Sequence, residues 1–281
     1  MAAGQQNKIA LVIQARMRST RLPGKILLPI PLGSGKPLLS WVIDELKAFS
    51  LANDIFIATS TNLENDLLVS YCIDNKIQCY RGEEDNVLSR FISIANMGPY
   101  NCIVRLTADN PIIDIDILER VVMRHLNNGN DYTKTEDLPV GMNFEVVATS
   151  ALLDLQKYKL SLDDEEHVTM FIRNNEQYKK EIYPIADYKH LKGLRLTIDY
   201  ASDYTLISSL LSQCINDDKL KGIQIVERAF NKYPWIFESN GGNFQKKQYL
   251  DLDEELREAR AFLENHDFKR VAKILKVKNE D

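Results

Sequence analysis

Twelve residues near the start of the chain, Gln14 to Lys25, carry Arg16, Arg18, Arg21 and Lys25 among the small residues Ala15, Ser19 and Gly24. Guanidinium forks and an ammonium bind phosphate oxygens, and small residues let backbone N–H groups approach an anion closely. Ser19 and Thr20 add hydroxyl or backbone donors. The segment follows an apolar, β-branched run, Lys8 to Gln14, and so sits where a strand would end. It reads as a polyphosphate-binding loop; a solvated basic loop is the plainer alternative. Two acidic residues complete the pattern. Asp109 follows the run Cys102 to Leu106, and Asp199 ends the run Leu194 to Ile198. Both are expected at carboxyl ends of strands, where they can converge on a magnesium ion that also binds phosphate oxygens. Either aspartate alone would be explained as a turn or helix cap.

Other chemistries find less support. Gly33-Ser34-Gly35-Lys36 is followed by Pro37 and lacks the upstream glycine of a P-loop, and GxGxxG is absent. Asp114-Ile115-Asp116 and Asp251-Leu252-Asp253 resemble metal-binding DxD triplets, but each precedes an apolar helical run and is better read as a cap. Cys72, Cys79, Cys102 and Cys214 form no CxxC pair, and His125, His167, His190 and His266 are scattered. Free thiols in a reducing cytoplasm are expected, and a zinc site is not.

Thirty-five Lys and Arg against forty Asp and Glu give a net charge of −5, which argues against coating nucleic acid through overall charge. The longest apolar run near the start, Ile9 to Ile13, is too short to span a membrane, and Met1 to Asn7 lack a signal-peptide layout.

The elements that must position these residues alternate. Strands are expected at Lys8 to Gln14, Asp54 to Thr59, Gln78 to Tyr80 and Cys102 to Leu106. Helices are expected at Pro37 to Phe49, Glu64 to Asn75, Asn86 to Ala95 and Asp114 to Leu126. This order predicts a mostly parallel sheet with helices on both faces and ligands at the carboxyl ends of its strands. Further strands are expected at Phe144 to Ala148, Glu181 to Pro184 and Leu194 to Ile198. Asp163 to Asn174, Asp203 to Cys214 and Ile223 to Lys232 have helical patterns. After the break at Asn240-Gly241-Gly242-Asn243, two amphipathic stretches read as a helical hairpin. The expected organisation is a catalytic domain over 1–239 and a helical extension over 240–281.

Ile13 to Lys25 resembles the opening signature of a cytidylyltransferase family that includes a spore coat polysaccharide biosynthesis protein and is related to the CMP-KDO and CMP-sialate synthetases. Four further blocks resemble that family in the same order: Arg81 to Arg90, Val104 to Asp114, Glu166 to Thr169, and Arg195 to Asp199. The resemblance implies a three-layer, nucleotide-diphospho-sugar-transferase-like fold of GT-A or Rossmann-like type. It implies transfer of CMP from CTP to a sugar acid, with magnesium, release of pyrophosphate and a homodimeric assembly. Arg16, Arg21 and Lys25 would hold the triphosphate, with Ala15, Ser19 and Thr20 beside them. In the related synthetases an aspartate at each of the places of Asp109 and Asp199 binds the metal. Thr59, Ser60, Arg81, Gly82 and Asp85 are assigned to base and ribose; Asp85 as cap of the helix from Asn86 is an equal alternative.

The acceptor side is expected to hold Gly141, Asn143, Glu145, His167, Arg173 and Arg195. His167 reads equally as a satisfied buried histidine. Asn143 stands where an acidic residue is common, and Ala108 and Asn110 replace a usual glycine and cysteine, which bears on the acceptor. The alternatives are a phosphorylated polyol, phosphonate or amino acid derivative as acceptor, a glycosyltransferase on a similar fold, and a silent nucleotide-binding or scaffolding protein.

Overall fold

The computed structural model describes residues 7–215, 220–243 and 252–275. Seven strands form one sheet in the order β3-β2-β1-β4-β6-β5-β7. They are β1 Ile9–Gln14, β2 Asp54–Ser60, β3 Gln78–Gly82, β4 Cys102–Thr107, β5 Tyr132–Glu136, β6 Glu145–Ala148 and β7 Lys180–Pro184. Six run parallel and β6 runs against both its neighbours. The helices are α1 Leu38–Lys47, α2 Asp66–Asp74, α3 Val87–Ala95, α4 Ile115–Asn128, α5 Thr149–Asp154, α6 Leu162–His167, α7 Met170–Asn174, α8 Ala201–Ile215, α9 Ile223–Lys232, α10 Glu238–Gly241, α11 Leu252–Asn265 and α12 Lys269–Ala272.

The period of two along β1 produces the three layers. Ile9, Leu11 and Ile13 face a core shared with α1, α2, α4, α8 and α9. Ala10 and Val12 face a second core built with α3, α5 and Val168. Both faces are covered, which is why β1 reads as a continuous apolar run. Register sets the next level. Gln14 pairs with Ala58 and with Thr107, and Ser60 pairs with Gly82. The carboxyl ends of β1, β2, β3 and β4 are therefore level, and their exit loops lie side by side.

Four expectations are corrected. Leu194 to Ile198 is not a strand: it makes one isolated bridge, Val140 to Arg195. Its alternating apolar residues are buried because the segment packs as a loop into the core, with Leu196 N donating to Val140 O. The helix expected from Asp163 to Asn174 is two helices. Val168, at φ 55, ends α6 after a Ser161 and Asp164 capping box starts it. β5, a polar Tyr-Thr-Lys-Thr-Glu segment, was not expected; it forms because Tyr132, Thr133 and Thr135 are buried between β6 and β7. Helix α3 is capped by Asn86, whose side chain accepts from Ser89 N, and not by Asp85.

Asp114 is the cap of α4, accepting from Ile117 N, and it also accepts from Ile223 N at the start of α9. The triplet's first residue is thus structural. Asp251 lies outside the described residues, as does the Cys214 side chain. Cys72, Cys79 and Cys102 are free thiols. Among the described residues, no helix is long and apolar enough to cross a membrane.

The chain divides into two compact units, Met1–Gly242 and Asn243–Asp281. Asn240 belongs to the first: it is buried, and its amide donates to Arg195 O and Asp203 Oδ1. In the second unit α11 and α12 are joined by a turn in which Asp267 has φ 63 and Phe268 N donates to Leu263 O.

Candidate active site

A cleft of about 520 Å³ opens over the level strand ends. The loop after β1 forms its floor. Ala15 N continues the sheet by donating to Ala58 O, and Met17 N donates to the Asn65 side chain. Gly24 then turns the chain back. It adopts φ 68, which glycine reaches without strain, and donates to Met17 O. Lys25 follows on a short 3₁₀ turn and is delivered inward.

The Lys25 ammonium is the junction of the site. It donates to Asp109 Oδ2 at 2.7 Å, to Asp199 Oδ1 at 2.9 Å and to Ile198 O at 2.6 Å. The two aspartates, ninety residues apart in sequence, therefore meet at one point. Asp109 arrives from the end of β4, where the Thr107 hydroxyl holds Oδ1 at 2.7 Å. Asp199 arrives from the loop before α8. Its Oδ2 accepts from Arg195 Nη2 at 2.8 Å and lies 3.3 Å from Arg21. Burial pushes the Asp199 carboxyl up, but the hydrogen bond and charge of Lys25, with Arg21 and Arg195, outweigh it and hold the group below its ordinary value.

A second layer fixes Asp199. Asp203, fully buried, accepts from the Arg195 Nε at 3.0 Å and from the backbone N–H groups of Asp199 and Tyr200, both at 2.9 Å. Arg21 donates to the Tyr200 hydroxyl at 3.2 Å and lies over that ring.

Ala15, Arg16, Ser19, Thr20, Arg21, Lys25, Ser60, Asp85, Asp109 and Asp199 all line the cleft. The other expected residues do not. Thr59 is buried within β2. Arg81 donates to Ser60 O, Thr61 O and Asn62 O and pairs with Asp66, so it ties down the exit of β2. Gly82 lies under the Arg90 stem. Gly141, at φ 98, lets the chain pass close to Thr197 N, where a Cβ would come within 2.9 Å. Asn143 donates to Leu138 O and accepts from Thr135, bracing a turn. His167 ends α6, while its neighbour Glu166 faces the cleft. Arg195 is 7% exposed and turned to Asp199 and Asp203.

Glu145 is the hub of a buried cluster rather than a cleft residue. It accepts from Arg105 Nη1 at 2.7 Å and from the Tyr132 hydroxyl at 2.6 Å, with Arg173 4.0 Å away. Burial pushes its carboxyl up, yet Arg105, Tyr132 and Arg173 bring it down to about 2. Arg105 also donates to Gln14 at 3.2 Å, which links the cluster to the cleft wall.

Sequence reasoning left out Glu84, Arg90, Thr107, Leu162 and Glu166 as lining residues. Glu84 accepts from Ser60 and Asn62 and lies 3.9 Å from Arg16. Glu84 and Arg90 fall inside the block Arg81 to Arg90, which was the available signal.

The donor set suits a hard divalent cation. Among the described residues no group of three His, Cys, Asp or Glu gathers to hold a metal. Asp109 and Asp199 supply two carboxylates, and a cation held by them would complete its shell with phosphate oxygens and water, as magnesium does.

Known proteins resemble the chain in sequence and in fold. A cytidylyltransferase family model matches residues 10–269. The chain is 36% identical over 211 residues to the spore coat polysaccharide biosynthesis protein SpsF of Bacillus subtilis, covering 73% of this chain and 86% of that one. It is 24% identical over 187 residues to an 8-amino-3,8-dideoxy-manno-octulosonate cytidylyltransferase of Shewanella frigidimarina, covering 66% and 72%. The solved structure of a cytidylyltransferase from Leptospira borgpetersenii superposes with a TM-score of 0.75 at 27% identity, over 86% of this chain and all of that one. A family match spanning almost the whole first unit, on a sheet that gathers a cationic loop and two aspartates at one end, leaves one conclusion: the chain is a nucleotidyltransferase enzyme of the cytidylyltransferase family.

Proposed function

We propose that the enzyme transfers CMP from CTP to a sugar acid of octulosonate or nonulosonate type, releasing pyrophosphate, in the synthesis of a cell-surface polysaccharide. The observation that carries this reading is the meeting of Asp109 and Asp199 on Lys25, under a loop bearing Arg16, Arg18 and Arg21. The acceptor's hydroxyl oxygen forms a bond to the α-phosphorus. The bond from that phosphorus to the bridging oxygen of the β-phosphate breaks, and pyrophosphate leaves with the electron pair while the hydroxyl proton passes to water.

The chain's own residues bind and orient. Arg16 and Arg21 neutralise the triphosphate, and Lys25 meets the charge that develops on the leaving group. Ser19 and Thr20 approach the phosphates through backbone and hydroxyl donors, while Ala15, whose N–H is bonded to Ala58 O, lines the cleft without donating to it. Asp109 and Asp199 would hold magnesium, which when bound screens the phosphate oxygens. Arg195 and Asp203 keep Asp199 facing the junction. Ser60 and Asp85 lie at the nucleoside end.

The sugar-acid reading draws on relatives named for an octulosonate and for a spore coat polysaccharide. A second acceptor class is a phosphorylated polyol, phosphonate or amino acid derivative giving a CDP product. Arg173 and Arg195 are turned to Glu145 and to the Asp199–Asp203 pair, which leaves the exposed Arg18 on the cleft wall to meet an acceptor's anionic group. Free cysteines fit a cytoplasmic setting, and we propose a homodimer by likeness to the related synthetases.

Pyrophosphate release from CTP with magnesium, measured against a panel of sugar acids and phosphorylated polyols, tests the reading. Asp109→Asn and Asp199→Asn should each lower turnover by at least about 100-fold with the fold retained. No pyrophosphate from CTP with any acceptor, or full turnover in both variants, would overturn it.

A further inference from the structure

One wall of the cleft holds a buried cation that has no partner among the described residues. Arg90 stands on α3, one turn beyond Val87, and is 5% exposed. Its Nε is sealed from solvent and has no hydrogen-bond partner. Among the described residues, no hydrogen bond or ion pair reaches its guanidinium either. Burial pulls its pKa down, opposed by the charge of Glu84. The stem lies across Gly82, where a Cβ would come within 2.7 Å of Arg90 Cγ and 3.4 Å of Cδ. Bare backbone at that position is what lets the arginine pass over the end of β3 and reach the cleft.

Arg90 stands at the β3 end of the cleft, away from Asp109, where Glu84 also faces Arg16 of the cationic loop at 3.9 Å. The cationic loop follows β1 and Asp109 follows β4, whereas Glu84 and Asp85 follow β3. The sheet order puts three strand spacings between β3 and β4, about 14 Å. A nucleoside triphosphate with its phosphates over the cationic loop and the aspartate pair therefore lays its base toward β3. The wall there carries the carboxylates of Glu84 and Asp85 beside the apolar surface of Val87. That is a site for a neutral ring with polar edges.

We propose that Arg90 selects the base: its guanidinium donates to O2 and N3 of cytosine, while Asp85 accepts from the 4-amino group. This rests on the CTP-using reading above and assigns the residues that make it selective. Cytosine presents acceptor, acceptor and donor in order along its edge. Uracil presents acceptor, donor and acceptor. Arginine has only donors and stays charged, so the N3–H of uracil would face another N–H. The uracil O4 would face a carboxylate. A buried guanidinium left unpaired by the wrong base penalises it far more than a lost contact on an exposed surface would.

Calorimetric titration of the full chain with CTP, UTP and inorganic tripolyphosphate, in magnesium and without acceptor, tests the assignment in wild type, Arg90→Met and Arg90→Lys. Wild type should prefer CTP to UTP by about 100-fold or more. Arg90→Met should weaken CTP by about 10- to 100-fold, bring CTP and UTP to similar affinities, and leave tripolyphosphate unchanged. Arg90→Lys keeps a buried cation without the planar fork, and should also lose the preference while circular dichroism reports an intact fold. Equal weakening of CTP, UTP and tripolyphosphate would make Arg90 a phosphate ligand and overturn the proposal. Retained preference for CTP in both variants overturns it too, with the parent reading intact. Wild type that does not prefer CTP overturns the parent reading and this one together.

Discussion

Lys25→Met acts on the junction that holds the site together. The ammonium is 2.7 Å from Asp109 Oδ2 and 2.9 Å from Asp199 Oδ1, so those oxygens lie within about 6 Å of each other. At an effective dielectric of about 20, two unit charges at that distance repel by about 3 kcal/mol. Methionine keeps the apolar stem and removes the neutralising charge. The carboxylates retain some solvent, and Arg21 and Arg195 stay beside Asp199. The net loss should therefore be about 2–3 kcal/mol at pH 7, or roughly 4–12 °C in Tm for a unit of this size.

The same perturbation has a signed pH dependence. Burial raises the Asp199 carboxyl, but Lys25, Arg21 and Arg195 hold it below its ordinary value of 3.8 in the folded protein. Its contribution to stability is present above that ordinary value and lost as pH falls through the lower folded one. Without Lys25 much of that contribution disappears. The gap between variant and wild type should thus be full at neutral pH and close below about pH 4. Millimolar magnesium should raise the variant's Tm more than that of wild type, because a divalent cation takes the place of the ammonium between the carboxylates. Urea denaturation and thermal melts from pH 3 to 8, in EDTA or magnesium, read all three effects. A variant as stable as wild type at pH 7, or a gap that does not narrow in acid, refutes the reasoning.

Glu145→Gln should cost about 3 kcal/mol at pH 7, since it leaves the part-buried Arg105 without its counter-charge. Wild-type Glu145 titrates at about 2 against an ordinary 4.5, so in urea denaturation the gap should hold above that ordinary value and vanish toward pH 2; a gap unchanged at pH 3 would assign it to packing instead. Gly141→Ala should lose about 2 kcal/mol or more, because φ is 98 and the new Cβ would press on Thr197 N. It should also lower turnover by displacing the segment that leads to Asp199, which a pyrophosphate assay on the folded variant reads.

The segments that were legible in the sequence share a cause. β1, β2 and β4 are buried on both faces over most of their length, so apolar residues dominate them: Ile9 to Ile13, Phe56 to Ala58 and Cys102 to Val104. The loop from Gln14 to Lys25 was legible because its chemistry is local: four cations and a turn glycine within twelve residues. β5 was not, because Thr133 and Thr135 are buried through hydrogen bonds, Thr133 with His125 and Thr135 with Asn143 and Phe144 N. The segment Leu194 to Ile198 misled for the opposite reason. Its apolar alternation reports burial, and a loop packed into a core is buried as fully as a strand.

Residue types and their spacing along the chain were enough to specify a mostly parallel sheet, a cationic loop after its first strand and two aspartates close to the ends of apolar runs. Which side chains face the cleft was decided only by packing. Arg90, Arg105, Arg173 and Arg195 are alike as letters. One, on the cleft wall, has no partner among the described residues, two flank Glu145, and one is turned to Asp203 and Asp199. A guanidinium is placed by the carboxylate it meets, and those carboxylates come from distant segments, so its direction exists only once the chain has folded.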